Sequence, residues 1–360
     1  MERTYIPWQK WPEKSKQKEY TESTPMFAKD GTLIAAGWAR RNVFEYDRDL
    51  VKAKKRRKEW DFYQVSNGRL MCQISFANIQ LGGYISAKLI DLVAGKTIAA
   101  PTSFFLGGGE KYILPPKGDV PNNVKMTIGK AEFEFDTRET SRTLYFRMPT
   151  KDGMCETKFD MDIMPGLENI TTVLPFDGLP DRYFMTTKQN CMPCSGYYKL
   201  GEKTWEWSKE DTFCTLDWGR VCTPYSMVWY WGNMSTYVED AEGNKRLFGF
   251  EITWGIGNEK NATETCLFYD GKAHKIGAVD CVEFPKGRYM EPWHIVSEDG
   301  RFDMTMTPFF DNHGDTNALF MRMNAHQVHG LWNGFAILDD GTKIEIKDKY
   351  AFCEYVENRW

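Results

Sequence analysis

Apolar residues recur at every second position over much of this chain. Ala131, Phe133 and Phe135 alternate with Glu132, Glu134 and Asp136, and Phe159, Met161 and Ile163 alternate with Lys158, Asp160 and Asp162. A period of two puts each apolar set on one face of a strand and each polar set on the other. The same reading predicts strands at 70–76, 83–92, 142–148, 225–231, 247–254, 264–269, 276–283, 302–307, 317–323, 332–338 and 343–348. Between the runs stand Asp152-Gly153, Asp270-Gly271, Asp299-Gly300 and Asp340-Gly341, which supply the positive φ that a tight hairpin requires. No stretch of about 12 residues carries a helical period; 47–60 is too charged and the piece from Ser208 too short to cover a parallel sheet. The expected class is all-β, built of antiparallel barrels or curved sheets, which excludes Rossmann and (β/α)8 architectures.

A chain of 360 residues exceeds the usual span of one hydrophobic core, so two domains are expected. Pro165-Gly166, Pro175, Asp177-Gly178, Pro180-Asp181, Pro193 and Gly196 break the alternation around 165–200. The predicted organisation is a surface segment at 1–30, a β domain at 31–185 and a second at 186–360. Periodicity does not say whether the sheets close on a ligand cavity or fill with side chains.

Aromatic residues make up 15% of the chain, which suits β structure or an aromatic-lined cavity. The net charge of −4 offers no positive field to a nucleic-acid backbone. One basic run, Lys52 to Lys58, is framed by acids and reads as a solvated loop or as a patch facing an anionic substrate or surface. The N-terminus has no apolar signal region and no stretch approaches the length of a membrane span, so a cytoplasmic location is expected. Nine scattered cysteines read as small buried side chains in a reducing compartment. The oligomeric state, a homodimer included, is not written in the pattern.

Several familiar motifs are absent. Gly107-Gly108-Gly109 lacks both dinucleotide and Walker spacing and reads as a wide turn. Cys191-Met192-Pro193-Cys194 has neither further soft ligands nearby nor a helix behind it. His326 and His329, three apart, point oppositely from a regular strand, so they are not expected to form a metal site, although one assembled from distant strands stays open; with no nucleotide motif, no organic cofactor is expected. A flavin or nicotinamide would need an unfamiliar surface. No Gly-x-Ser-x-Gly elbow occurs.

The chemistry concentrates at 213–232, where Asp217 and Arg220 stand among Phe213, Trp218, Tyr225, Trp229, Tyr230 and Trp231. Gly219 is read here as a turn that returns Arg220 toward Asp217. Glu264 follows the glycine-rich 254–257 stretch. A carboxyl desolvated in an apolar cavity delivers a proton, while a second one held ionised by a cation receives it. The candidate catalytic set is Asp217, Arg220, Tyr225 and Glu264, and the substrate-binding set is Trp218, Trp229, Trp231, Trp254 and His326. The competing reading of Asp217 and Arg220 is a structural salt bridge.

The combination of Gly37-Trp-Ala-Arg40, Lys188-Gln-Asn-Cys-Met-Pro193, Leu216-Asp-Trp-Gly-Arg-Val-Cys-Thr-Pro-Tyr225, Trp229-Tyr-Trp-Gly232, Thr263-Glu264, Phe268-Tyr-Asp-Gly-Lys272 and Glu354-Tyr-Val-Glu-Asn-Arg-Trp360 resembles the domain-of-unknown-function family 2804. The family motifs fall on Asp217, Trp218, Arg220, Tyr225, Trp229, Trp231, Glu264 and Asn358, with no established duty for any of them. More remotely, the chain is similar to lipocalin-like two-barrel proteins that include carotenoid 1,2-hydratases and tocopherol cyclase-like proteins. That resemblance implies two lipocalin-like β domains and a hydrophobic, often unsaturated small-molecule substrate handled without an organic cofactor, in one barrel or between two. The function expected is an acid–base hydratase, dehydratase, isomerase or cyclase; a carrier of a lipid or pigment and a β-rich interaction module are the alternatives.

Overall fold

The computed structural model describes residues 7–318 and 321–359. The first six residues of the predicted surface segment and Trp360 of the terminal motif lie outside them. The protein is all-β: three 3-10 turns are the only helical elements among the described residues. Among the described residues the strands form two large antiparallel sheets, one of 14 strands and one of 9, and a two-stranded piece. No helix among the described residues is long and apolar enough to cross a membrane.

In the larger sheet the central order runs through Gly82–Asp91, Leu70–Asn78, Arg57–Ser66, Phe213–Cys222 and Leu179–Leu200. It then continues through Gly153–Asp162, Ser141–Thr150, Ala131–Thr137 and Asn122–Ile128. Its inner face carries Tyr63, Ile74, Phe76, Phe133, Phe135, Phe146 and Phe159 in one apolar cluster. The smaller sheet is built on Ser226–Glu239, Lys245–Trp254, Phe302–Ala318, Met321–Ile337 and Lys343–Arg359. Its inner face packs Tyr230, Phe248, Phe250, Ile252, Trp254, Phe302 and Trp332. Each sheet thus buries one side of its own alternation, as period two requires.

The chain passes from the larger sheet to the smaller across 223–225. The turn-rich stretch at 165–200 instead holds two paired strands, Ile170–Phe176 and Leu179–Leu200. A register shift between Gln189 and Met192, with Cys191 at φ 59°, absorbs the irregular residues. The predicted strand at 317–323 falls on two antiparallel strand ends, Ala318 pairing with Met321, with 319 and 320 outside the described residues. The central strands Arg57–Ser66 and Phe213–Cys222 escaped the alternation reading for a physical reason: every residue of the second is buried, so neither face is marked by exposed polar positions.

The outer faces of the two sheets meet. Thr215 Oγ1 of the larger sheet lies 3.5 Å from Ser235 Oγ of the smaller, and Gln73 Nε2 donates to Gln327 Oε1 at 2.7 Å. The N-terminal segment crosses the smaller sheet's 258–263 loop, with Lys16 N donating to the Lys260 carbonyl and Thr263 N to Gln17 Oε1. That contact fixes the loop that delivers Glu264.

Candidate active site

A cavity of about 430 Å3 lies in the seam between the two sheets. Its size falls in the range of small-molecule sites. From the larger sheet it takes Trp60, Phe62, Ala77, Tyr84, Phe184, Lys188 and Asp217; from the smaller, Met227, Trp229, Trp231, Thr253, Gln327, Glu354 and Asn358; and from the 255–265 loop, Glu264. The wall is mainly aromatic and aliphatic; its polar groups are a cluster around Lys188 and, on other strands, Lys58, Glu59, Gln73, Ser75, Lys88 and Asn312.

Lys188 is the centre of that polar group. It stands opposite Asp217 in the ladder between Leu179–Leu200 and Phe213–Cys222, and its Nζ lies 2.7 Å from Asp217 Oδ1. The same ammonium sits 4.3 Å from the centre of the Trp231 ring. Burial alone would lower the Lys188 pKa, but Asp217, Glu264 and Glu251 outweigh it and hold the ammonium protonated.

Three glutamates complete the cluster. Glu251 accepts from Trp231 Nε1 at 2.6 Å, and burial pushes its pKa up to about 8. Glu354 accepts from Trp229 Nε1 at 2.9 Å, and burial pushes it up to about 7. Thr186 Oγ1 donates to Glu264 Oε1, and burial raises that carboxyl as well. Lys188 is the shared cation acting on all three. Four carboxyl groups around one ammonium cannot all ionise in a desolvated seam. The cluster therefore presents protonated carboxyls beside an ionised carboxylate near neutral pH, which is what proton delivery and proton acceptance in one site require. Among the described residues no His, Cys, Asp or Glu group is arranged to hold a metal ion.

The structure brings together Asp217, Trp229, Trp231, Glu264 and Asn358. It separates the others. The Phe213–Cys222 strand runs straight through Gly219, so Asp217 and Arg220, three apart, face opposite ways. Arg220 is buried on the inner face, where it pairs with Asp61 at 3.0 Å and donates to the Pro115 carbonyl at 2.8 Å. Gly219 serves another purpose: a Cβ there would lie 2.1 Å from the Trp60 ring, so its lack of a side chain lets Trp60 lie across the strand as cavity wall. Trp218 shares the inner face, stacked under Arg220 at 4.1 Å. Trp254 stacks flat on Tyr230 inside the smaller sheet, ring centres 4.7 Å apart. Tyr225 is 48% exposed in the segment joining the sheets, 5.7 Å from the Arg56 guanidinium. His326 faces away from the cavity, with Nδ1 2.7 Å from Asp311 Oδ2 and its ring against Tyr289. His329, on the opposite face, lies 2.9 Å from Tyr350 OH and is held neutral by burial, its pKa lowered to about 3.

Sequence reasoning missed Lys188, Glu251 and Glu354 as site residues. Lys188 and Glu354 open two of the motifs that carry the family resemblance, and that was their only signal. Glu251 sits in Phe248-Gly-Phe-Glu-Ile-Thr-Trp254, where alternation assigns it to a polar face without saying what covers that face. All nine cysteines are free and buried; burial raises the Cys191 thiol to about 12, which suits packing and not reactivity.

Residues 17–360 match the family DUF2804, described as a domain of unknown function. No curated protein matches the chain. Among solved structures, a protein from Nitrosomonas europaea that carries the provisional name AttH superposes with a TM-score of 0.49 at 12% identity, over 88% of this chain and 96% of that one. Kievitone hydratase from Nectria haematococca superposes with a TM-score of 0.44 at 9% identity, over 98% of each chain.

Proposed function

We propose that this chain, which belongs to the DUF2804 family, is a cofactor-independent acid–base enzyme acting on an apolar, unsaturated or carbonyl-containing small molecule in the seam between its two sheets. The reaction class is hydration, dehydration, double-bond migration or cyclisation. One observation carries the reading: Asp217, Glu264 and Glu354 line a largely apolar cavity and, together with Glu251 behind Trp231, gather around the Lys188 ammonium. A binding pocket for an apolar ligand has no need of such groups, and their burial is costly.

In this reading Glu264 or Glu354 is the proton donor, since burial keeps each carboxyl protonated to higher pH than usual. Asp217, beside the Lys188 ammonium, is the acceptor. Donor and acceptor need to differ in charge state at one pH, and one lysine among four carboxyls imposes that difference. Protonating a double bond leaves a cation, which the faces of Trp229 and Trp231 stabilise. The arginine and tyrosine roles expected from sequence have no place here, because Arg220 and Tyr225 lie outside the cavity wall.

The test begins with native mass spectrometry of freshly isolated protein and extraction of whatever apolar compound travels with it. Incubating that compound with wild type, Glu264→Gln and Asp217→Asn proteins should give product only with the wild type, while all three retain the ligand. Retention by all three with no product from any would replace the enzyme by a carrier.

A further inference from the structure

A second cavity of about 90 Å3 lies in the same seam. It opens to the surface beside Gly68 and Asp211, whose side chain is 47% exposed. Strand register fixes its place. Thr215 precedes Asp217 by two residues on the same face, and Gln64 follows Phe62 likewise on the neighbouring strand, so the polar lining begins about 7 Å from the carboxyl cluster. The edge-to-face contact of Phe62 and Trp231, ring centres 6.0 Å apart, stands between the two cavities.

The second cavity is polar where the first is apolar. Gln64 and Asn233 line it, both deeply buried, and neither Gln64 Oε1 nor Asn233 Nδ2 has a hydrogen-bond partner among the described residues. Glu251 stands directly opposite Asn233 in its ladder. One Glu251 oxygen is held by Trp231, and the other, Oε1, is buried without a partner. A buried polar atom left unpaired costs about 1–3 kcal/mol. A water that bonds two or three of them offsets that cost, and the cavity has room for several.

We propose that this second cavity is a water-filled proton route, with Glu251 as its inner station, that recharges the carboxyl cluster from the side opposite the substrate. Its purpose rests on the acid–base reading above; its existence does not. When a cluster carboxyl has given its proton to substrate, the Glu251 O–H proton passes to the resulting carboxylate. The Glu251 carboxylate then takes a proton from the cavity water, which takes one from bulk. One proton is drawn from solvent by this route and the proton that Asp217 took from the substrate returns to solvent before the next turnover, so the cluster regains its starting state and only O–H bonds are exchanged. The Phe62–Trp231 pair meanwhile keeps that water out of the apolar cavity.

Infrared spectroscopy tests this on the protein as it exists. Buried protonated carboxyls give a C=O band that shifts on deuteration, so mixing into D2O times their access to solvent. In the wild type the band should shift while the backbone amides of the surrounding strands are still protonated, which separates local access from unfolding. Glu251→Gln should remove one component of the band. Asn233→Leu and Gln64→Leu, two independent plugs, should each slow the shift by roughly tenfold or more. The proposal fails if the wild-type carboxyls exchange no faster than the core amides, or if both plugged variants exchange as fast as wild type. Should Asn233→Leu not fold, Gln64→Leu and the amide comparison decide. Fast exchange with no product from any ligand would overturn the enzyme reading and leave the route standing.

Discussion

Replacing Glu251 by glutamine should make the protein more stable as pH rises. The glutamine keeps the side chain's shape and can still accept from Trp231 Nε1, but it cannot ionise. In the folded wild type, burial moves the Glu251 pKa from its ordinary 4.5 to about 8, so between those values the folded state binds a proton that the unfolded state releases. A carboxyl raised in this way contributes stability that is fully present below 4.5 and is lost as pH rises through about 8. At 1.36 kcal/mol per pKa unit the loss is roughly 4–5 kcal/mol, an order-of-magnitude figure. Urea unfolding followed by tryptophan fluorescence, from about pH 5 to about pH 8.5, measures it. The stability of Glu251→Gln minus that of wild type should lie within about 1 kcal/mol of zero at the acid end and rise by roughly 3–4 kcal/mol at the alkaline end. Glu354 titrates in both proteins and cancels in the difference. A flat difference, within about 1 kcal/mol across the range, would refute the argument by showing that Glu251 ionises in the fold without penalty.

Three further outcomes follow from the same geometry. Lys188→Met removes the cation at the centre of the cluster and should cost about 3–5 kcal/mol at mildly alkaline pH, with the loss shrinking in acid as the buried Glu251 and Glu354 carboxyls take up protons; pH-dependent urea titration checks both parts. Arg220→Met strands the buried Asp61 carboxyl and should also cost about 3–5 kcal/mol, yet the ligand carried per folded molecule, read by native mass spectrometry, should not change because Arg220 lies on the opposite face of its strand from the cavity. Ala77→Phe projects a ring into the 430 Å3 cavity and should lower ligand retention by roughly tenfold or more with a stability change within about 1 kcal/mol; undiminished retention would place the ligand elsewhere.

What the sequence determined by itself was local. Period two, with glycine at the hairpins, was enough to specify an all-β chain, because a residue's face on a strand depends only on its position in that strand. Phe133 and Phe159 could be assigned to a core and Glu134 and Asp160 to water without knowing any partner. The same rule separates Asp217 from Arg220, three apart on a strand, once Gly219 is known not to turn the chain. Asp217, Trp229 and Trp231 were recognisable as candidates by their residue types in an aromatic stretch, and Glu264 as a carboxyl following a glycine-rich one. Only the tertiary structure decided what the polar faces meet. Alternation assigns Glu251 to solvent, and Lys188, Gln327 and Glu354 lie outside the strands read from the sequence; in a single exposed sheet all four would be unremarkable. Here the outer face of one sheet lies against the outer face of the other, so charges marked for water are buried together around an apolar cavity. Face assignment needs only neighbours in sequence, whereas a carboxyl's pKa depends on charges and dielectric supplied by strands more than a hundred residues away. That is why the fold class was legible along the chain and the centre of the site was not.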